Sequence, residues 1–297
     1  GMAEVRFTVV PKVYNNITVD EAIAQTDPAI DEVIRLLTTP GDGHAIDAAG
    51  VAEKRDSLES FEGPDQFDAL EQFNRAFLDS DWGDGFPLYP PTEERVEALL
   101  QGTALDPDEV VCMLPPGSGY ASVRKIAVNA AMAGCQPEHL PVVIAGARAL
   151  AELDPQDARG GLMSTSANGP IWIVNGPIAR ALGINSGRAT LGPGKQSIVN
   201  ITIGRALLLT LKNVGHWYPG HLDMDTIGTA RKFPMLLAEN EEDSPWTPYH
   251  VEHGFDKGAS TITVFITGSE RDVGDQGNKT GDGLLRTIAY CCDTAGG

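Results

Sequence analysis

The sequence predicts an α/β protein with a mixed or partly parallel sheet, flanking helices and long Gly-rich loops, preceded by a small acidic N-terminal arm or subdomain. Short β-branched apolar runs alternate with segments of helical periodicity from about residue 110 to residue 290. The chain has 297 residues, of which 42% are hydrophobic, and can bury a full core. We expect residues 1–64 to form the arm and its linker, and residues 65–297 to form the main α/β domain.

Two elements are predicted in the arm. Residues 5–10 alternate as in a short strand, and residues 28–37 carry apolar side chains at helical spacing. Residues 40–64 are rich in Gly, Asp, Ala, Glu and Ser, which predicts a loop or linker of low order.

The helices and strands of the main domain are predicted from the periodicity of apolar residues and from residues that are typical of helix ends. Segments with an apolar stripe of helical period predict helices, and Pro at a start or Gly past an end, such as Gly134, marks their limits. Short β-branched runs predict strands. The predicted helices are residues 66–78, 91–100, 123–132, 138–153, 177–182, 198–211 and 283–291, and the predicted strands are residues 110–114, 171–174 and 260–267.

The charge distribution argues against a nucleic-acid partner. The chain has 41 acidic and 22 basic residues, a formal net charge of -19, and no cluster of Lys or Arg. Binding to phosphates needs several cationic contacts on one face. We therefore expect no nucleic-acid partner.

Hydropathy and cysteine usage predict a cytoplasmic protein. No run of 18 apolar residues occurs, and no basic segment followed by an apolar stretch opens the chain, so we expect no membrane partner and no signal peptide. The four cysteines have neither C-x-x-C nor zinc-ligand spacing, which predicts reduced thiols.

The charge pattern predicts an anion-binding site in the second half of the chain. From Ala158 to Leu222 there are 65 residues without Asp or Glu, and the same window holds Arg159, Arg180, Arg188, Lys195, Arg205 and Lys212. Nine of the 45 residues from 160 to 204 are Gly, which would let the backbone approach a ligand closely. In the alternative interpretation, the glycines form tight turns in a packed core and the cations pair with acids elsewhere.

Polar side chains in and beside the apolar segments of this window predict a ligand lining. A buried amide is unfavourable unless it is hydrogen-bonded, so each Asn either caps a backbone group or faces a polar cavity. Asn200 and Arg205, on one apolar helix, are the preferred cavity pair. The predicted substrate-binding residues are Ser164, Thr165, Asn168, Asn175, Asn185, Arg188, Lys195, Asn200 and Arg205.

Glu239, Glu241 and His250 are predicted to transfer protons or to hold a metal. Rigid apolar neighbours around His250 could shift its pKa. His221 with Asp223, and His250 with Glu252, have the spacing of two that would place both side chains on one face of a strand. Such a set would suit a divalent metal, although the sequence does not identify the cofactor. In the alternative interpretation, these side chains are solvated loop residues without a ligand.

Cys135 is the candidate for covalent chemistry. It lies between Gly134 at a helix end and Pro137 at the next start, where a helix N-terminus could lower the pKa of the thiol, and His139 is a candidate partner. The alternative is a buried, inert cysteine.

Four segments resemble a family of bacterial proteins related to the UGSC-motif (seleno)protein group. The resemblance covers about residues 75 to 290 and implies an α/β protein in which thiol or redox chemistry is suspected. This chain has no Cys-Gly-Ser-Cys tetrad, which the namesake carries. The matching segments are Trp82–Thr92, Lys125–Glu138, Ile173–Pro177 and Ala238–Trp246.

Together these observations predict an enzyme of hydrolase or lyase type that acts on a small anionic or polar molecule, working as a homo-oligomer. Two alternatives stay open. One is a non-catalytic binding or partner subunit, and the other is a thiol, redox or metal-handling protein.

Overall fold

The computed structural model describes residues 18–38, 59–233, 236–268 and 273–293. The chain divides into two units, Gly1–Ser60 and Phe61–Gly297. The predicted strand at residues 5–10 and most of the predicted linker lie outside the described residues.

In the first unit, helix α1 (Val19–Thr38) contains the predicted helix but begins nearer the N-terminus. The cause is a capping box that the sequence prediction did not use. The hydroxyl of Thr18 accepts from the amide of Glu21, and the carboxylate of Glu21 accepts from the amide of Thr18 at 2.8 Å.

The second unit opens with two helices that agree with the prediction. Helix α2 (Gln66–Asp79) is capped by Asp65, and α3 (Glu93–Leu100) is capped by Thr92. In both caps a side-chain oxygen accepts from a backbone N–H of the first turn, which would otherwise lack a partner.

A hairpin follows where a single strand was predicted. Strand β1 (Val110–Leu114) pairs antiparallel with β2 (Gly119–Ser122), which lies between the predicted strand and the next predicted helix. Ser122 then caps helix α4 (Val123–Ala133), which ends at Gly134 in the left-handed conformation with φ 86°.

The remaining helices include two that were not predicted, α6 and α9. None of the helices in the described ranges is long and apolar enough to cross a membrane. The helices are α5 (Leu140–Ala151), α6 (Pro155–Leu162), α7 (Pro177–Leu182), α8 (Ile198–Asn213), α9 (Tyr249–Glu252) and α10 (Gly281–Asp293).

A three-stranded mixed sheet lies at the centre of this unit. Its strands are β3 (Gly169–Asn175), β4 (Leu236–Ala238) and β5 (Thr261–Thr267), in the order β4-β3-β5. Strands β3 and β4 are parallel, whereas β3 and β5 are antiparallel. The predicted α/β class with a mixed sheet is confirmed, with the difference that β1 pairs with β2 in a separate sheet.

Close packing of α4, α5 and α8 builds the core beside this sheet. Trp172 is fully buried and its indole N–H donates to the carbonyl of Gly146 at 3.3 Å. A Cβ at Gly146 would lie 2.7 Å from a methyl of Leu207, so glycine permits this approach. Burial of each large apolar side chain contributes roughly 1.5–3 kcal/mol to the stability of the folded state, so this packing holds β3 in place.

Candidate functional site

Polar residues meet at one edge of the mixed sheet. Asn175 is the last residue of β3, and Glu239 directly follows β4. Because β3 and β4 are parallel, their carboxyl ends lie at the same edge, where the first residue of antiparallel β5, Thr261, pairs with Asn175. Crevices at the carboxyl ends of parallel strands are common ligand sites in α/β proteins.

The amide of Asn175 holds two carboxylates together. Its Nδ2 donates to Oε2 of Glu239 at 2.5 Å and to Oε1 of Glu241 at 3.0 Å. Oε1 of Glu241 also accepts from the amide of Gly176 at 2.7 Å, and Oε2 of Glu239 accepts from the amide of Tyr249 at 2.9 Å. The second oxygen of each carboxylate receives no hydrogen bond from the described residues.

His250 lies behind Glu241 and is 2% exposed. Its Nδ1 is 3.8 Å from Oε1 of Glu241 and has no hydrogen-bond partner among the described residues, while its Nε2 is 3.5 Å from the carbonyl of Lys257. Oδ1 of Asn175 and Oγ1 of Thr261 are also buried without a partner there. Buried polar atoms are usually paired in folded proteins, so this concentration of unpaired atoms is unusual. We call Asn175, Glu239, Glu241 and His250 the Glu241 site.

Gly176 gives the Glu241 site its backbone donor. The residue has φ 84°, and a Cβ there would lie 2.0 Å from the carbonyl oxygen of Ala259. Only glycine fits this conformation and contact.

A cleft of about 720 Å³ lies in front of the Glu241 site. Its wall contains no aromatic side chain and carries more carboxylates than cations. Arg180 forms an exposed ion pair with Glu242, one of these carboxylates. The charged and amide side chains that line it include Arg180, Asn185, Glu239, Glu241, Glu242 and Lys257.

The prediction of a metal site gains no support from this geometry. Within residues 18–38, 59–233, 236–268 and 273–293, no group of three or more His, Cys, Asp or Glu side chains is arranged to hold a metal ion. The backbone donors that hold the two carboxylates favour a role in binding or proton transfer.

The Glu241 site thus brings together four residues that the sequence analysis singled out, whereas three of the predicted substrate-binding residues lie far from this site. Ser164, Thr165 and Asn168 precede β3, at the opposite end of the strand from Asn175. At about 3.3 Å per residue, the two ends are roughly 20 Å apart. Ser164 accepts from the amide of Ser166, as in a local turn.

Asn200 serves the backbone rather than a cavity. Its Oδ1 accepts from the amide of Asn185 at 2.8 Å, and its Nδ2 donates to the carbonyls of Asn185 and Leu236. The side chain of Asn185 donates to Oγ of Ser197 at 3.1 Å. These three polar residues, which we call the Asn200 cluster, tie the loop before α8 to strand β4.

Arg205 has a different partner from the one predicted for it. Its Nε and Nη2 donate to the two oxygens of Asp84 at 2.7 and 2.8 Å, and its guanidinium also reaches the carbonyls of Phe86 and Pro87. The prediction that Arg205 and Asn200 form a cavity pair is wrong, because Arg205 clamps the turn over residues 81–87. A bidentate pair of this kind is a strong hydrogen-bonding arrangement.

The six cations of the acid-free window have separate surroundings. Arg159, Arg188 and Lys195 are exposed, and Lys212 donates to the carbonyl of Asp81 and lies 4.7 Å from the ring of Tyr218. Of the six, all within the described ranges, Arg180 alone lines the cleft. Burial explains part of the acid-free window, because β3 and much of α8 lie in the core, where charged side chains are rarely found.

Cys135 shows the opposite of the expected activation. The side chain is 4% exposed, its thiol lies 3.7 Å from the carbonyl of Thr202, and burial raises the pKa of Cys135 to about 12. Nδ1 of His139 accepts from the amide of Gln136. The predicted lowering of the thiol pKa is wrong, because desolvation of the thiolate dominates.

The two His-acid pairs do not share a strand face. His250 and Glu252 lie on the short helix α9, and His221 lies in a turn. Asp223 instead pairs with Lys232 at 2.5 Å, and the same ammonium is 2.9 Å from Asp225. The spacing of two therefore indicated a geometry that these segments do not adopt.

Comparisons with models of protein families, with curated proteins and with solved structures found no match for this chain. The Glu241 site therefore has to be interpreted from its own chemistry. Sequence reasoning missed Thr261 and the backbone donors of Gly176 and Tyr249. The dipeptide Asn175-Gly176 at a strand end was the available signal for one of these donors.

Proposed function

We propose that this protein is an enzyme that acts on a small polar molecule by general acid–base catalysis, with hydrolase or lyase chemistry. One observation carries the proposal: two carboxylates bound to a common amide, each with one oxygen open, line a cleft at the carboxyl ends of two parallel strands. Pockets with a few convergent polar groups are the usual form of a small-molecule site.

Glu239 and Glu241 are the proposed catalytic residues. Oε1 of Glu241 is held by Asn175 and Gly176, which leaves Oε2 to take a proton from a bound water or hydroxyl. Oε1 of Glu239 is open in the same way, and in the form of this carboxyl that carries a proton there, it can donate that proton to the leaving group. Fixed orientation matters here, because a positioned acid or base contributes about 10²–10⁴-fold to a rate.

His250 is a proposed positioning residue. It is buried behind Glu241, with Nδ1 3.8 Å from that carboxylate, so it orients the groups held at the site and does not itself transfer a proton. The proposal therefore assigns proton transfer to the carboxylates and orientation to His250 and Asn175.

The test is an activity screen followed by substitutions. Hydrolysis is assayed by incubating the purified protein with chromogenic esters, amides and phosphate esters. Elimination is assayed with hydroxy acids and amino acids, and the absorbance of the double bond that forms is measured. On any substrate that is turned over, we expect Glu241→Gln to lower kcat by about 10²-fold or more, since the amide cannot carry the proton.

The matched control is Glu252→Gln, which changes an exposed carboxylate on helix α9. It should leave kcat unchanged. Equal rates for wild type, Glu241→Gln and Glu239→Gln on the same substrate would show that these carboxylates do not perform catalysis.

We also propose that the protein is a homo-oligomer. The support is the exposed apolar face of α10, on which Leu284, Leu285 and Ile288 are 43%, 60% and 39% exposed. Light scattering coupled to size-exclusion chromatography should give a multiple of the chain mass that Leu285→Glu lowers. A single chain mass for the wild type would support the alternative of a subunit that binds a different partner.

A cytoplasmic location and kinship with the UGSC-motif group remain proposals that the sequence segments support. The alternative of a thiol or redox protein is disfavoured by the raised pKa of Cys135, which keeps the thiol protonated near neutral pH.

A further inference from the structure

The strongest clue to the ligand is the gap between His250 and Glu241. Nδ1 of His250 and Oε1 of Glu241 are 3.8 Å apart, which is too long for a direct hydrogen bond. Nδ1 is buried and has no hydrogen-bond partner among the described residues.

The tautomer of His250 follows from its other neighbour. Nε2 faces the carbonyl of Lys257, which can only accept, so in the neutral ring the hydrogen is on Nε2. Nδ1 then presents a lone pair toward a carboxylate oxygen. Two acceptors facing each other in a buried position are unfavourable unless a donor lies between them.

One donor can bridge these two acceptors from the side. A nitrogen or oxygen atom at an ordinary distance of about 2.9 Å from both would lie about 2.2 Å to one side of the line that joins them. Oδ1 of Asn175 is a further buried acceptor without a partner in the described ranges. The unmet groups of the Glu241 site are therefore mainly acceptors, and its ligand must donate.

Charge selects among the donors. Glu239 and Glu241 accept from the same nitrogen, so their charges repel when both are ionised, and the cleft wall holds three carboxylates against two cations, of which Arg180 is already paired with Glu242. A cation would relieve this repulsion. A primary ammonium group offers both a positive charge and three donors.

From this geometry we infer that the cleft binds a small molecule with a primary ammonium group, whose nitrogen lies between Glu241 and His250. The inference deepens the proposed function and rests on it, because it names the substrate class of the same site. It also reverses the sign of the ligand charge that the acid-free window of the sequence predicts.

Calorimetric titration with matched ligands tests this inference. Putrescine, ethanolamine, glycine ethyl ester and glycinamide carry the ammonium group, while butane-1,4-diol replaces the ammonium groups of putrescine with hydroxyls and succinate is a dicarboxylate with the same number of carbon atoms. We expect at least one amine to bind at least tenfold more tightly than its hydroxyl counterpart and than succinate. Glu241→Gln should weaken that binding tenfold or more, while His250→Gln tests the second acceptor and Glu252→Gln serves as the control.

Several outcomes would overturn the inference. Equal binding of diol and diamine would indicate a neutral hydroxyl ligand, tighter binding of succinate would restore the anion prediction, and failure of all four amines would exclude the class. Glu241→Gln keeps an oxygen that accepts from Asn175 and Gly176, so its fold should survive, and circular dichroism of each variant checks this.

The two proposals fail separately. If uncharged substrates are turned over through Glu241 while amines neither bind nor inhibit, the inference is wrong and the proposed function stands. If amines bind selectively but Glu241→Gln retains full activity on the identified substrate, the proposed function is wrong and the ligand class stands.

Discussion

The Asn200 cluster and the Glu241 site each contain a buried asparagine, and the two asparagines differ in one respect. Both polar atoms of the Asn200 amide bond to backbone groups, whereas Oδ1 of Asn175 has no partner among the described residues and its Nδ2 is shared by two carboxylates. Both side chains are almost completely buried, at 2% and 0% exposed. Burial of a polar residue is thus a poor marker of function, and the presence of unmet hydrogen-bonding groups separates the two cases.

The physical reason is the asymmetry of hydrogen-bond energies. A satisfied buried hydrogen bond stabilises the fold by about 1 kcal/mol, whereas an unsatisfied buried group costs about 1–3 kcal/mol. The Asn200 cluster therefore supports stability. Unpaired groups persist at the Glu241 site at a cost in stability, which a ligand could offset.

The largest expected change in stability comes from removing the ion pair between Arg205 and Asp84, in which both charged groups have partners. Arg205→Met leaves the carboxylate of Asp84 without its guanidinium, and the two side chains are 12% and 21% exposed. We expect the free energy of unfolding to fall by about 2–4 kcal/mol, somewhat less than for a fully buried pair. Urea denaturation measures this loss.

Arg188→Met is the matched control, because that side chain is exposed. Its stability should change by no more than about 0.5 kcal/mol. If the two variants were equally stable, the clamp on residues 81–87 would have no structural value.

A second test concerns the paired Asp223, Asp225 and Lys232. The bond from Lys232, followed by the amides of Gly228 and Ile227, lowers the pKa of Asp225 to about 2. Because the folded-state pKa lies below the usual value of about 3.9, the resulting stability is present above pH 4 and is lost as the pH falls towards 2. Asp225→Asn should therefore flatten the acid branch of a stability curve between about pH 4 and 2. An unchanged acid branch in the variant would refute this assignment.

The smallest expected change in stability comes from a comparison of two threonines, one with an unpaired hydroxyl and one with a hydrogen-bonded hydroxyl. Oγ1 of Thr261 is buried without a partner in the described ranges, whereas Oγ1 of Thr210 donates to the carbonyl of Ala206 at 2.7 Å. Thr210→Val should cost about 1 kcal/mol, and Thr261→Val should be neutral or stabilising by up to about 1 kcal/mol. Thermal unfolding of both variants gives the sign, and an equal loss at both positions would remove the distinction between paired and unpaired groups.

Long elements with clear periodicity could be predicted from the sequence, and short ones could not. Helices α2, α4 and α8 have apolar stripes over three or more turns. Strand β4 has three residues and α9 has four, which is too short for any period to show. Helix α6 was missed because Gly160 and Gly161 weaken its helical signal, although Asp154 caps it.

The Glu241 site was predictable in composition but not in arrangement. Asn175 was singled out as an amide beside an apolar segment, and Glu239, Glu241 and His250 were singled out as carboxylates and a histidine suited to proton transfer or metal binding. Which strands are neighbours depends on pairings far apart in sequence, so the meeting of β3 with β4 and β5 could not be deduced. The acid-free window stays open to both interpretations, because a buried core and an anion site both exclude carboxylates, and of its six cations, each of which the structure describes, Arg180 alone lines the cleft.

The turn that follows β3 also has a bearing on chemical ageing. In an unfolded chain, an Asn-Gly pair deamidates readily, because the glycine nitrogen can attack the neighbouring side-chain carbonyl and close a succinimide ring. In the native state that nitrogen donates to Glu241 and the backbone around Gly176 is confined by Ala259. Folding thus shields Asn175 from a reaction that would place a third carboxylate between Glu239 and Glu241, whereas in a denatured sample this dipeptide is as open to deamidation as the other Asn-Gly pair, Asn168-Gly169.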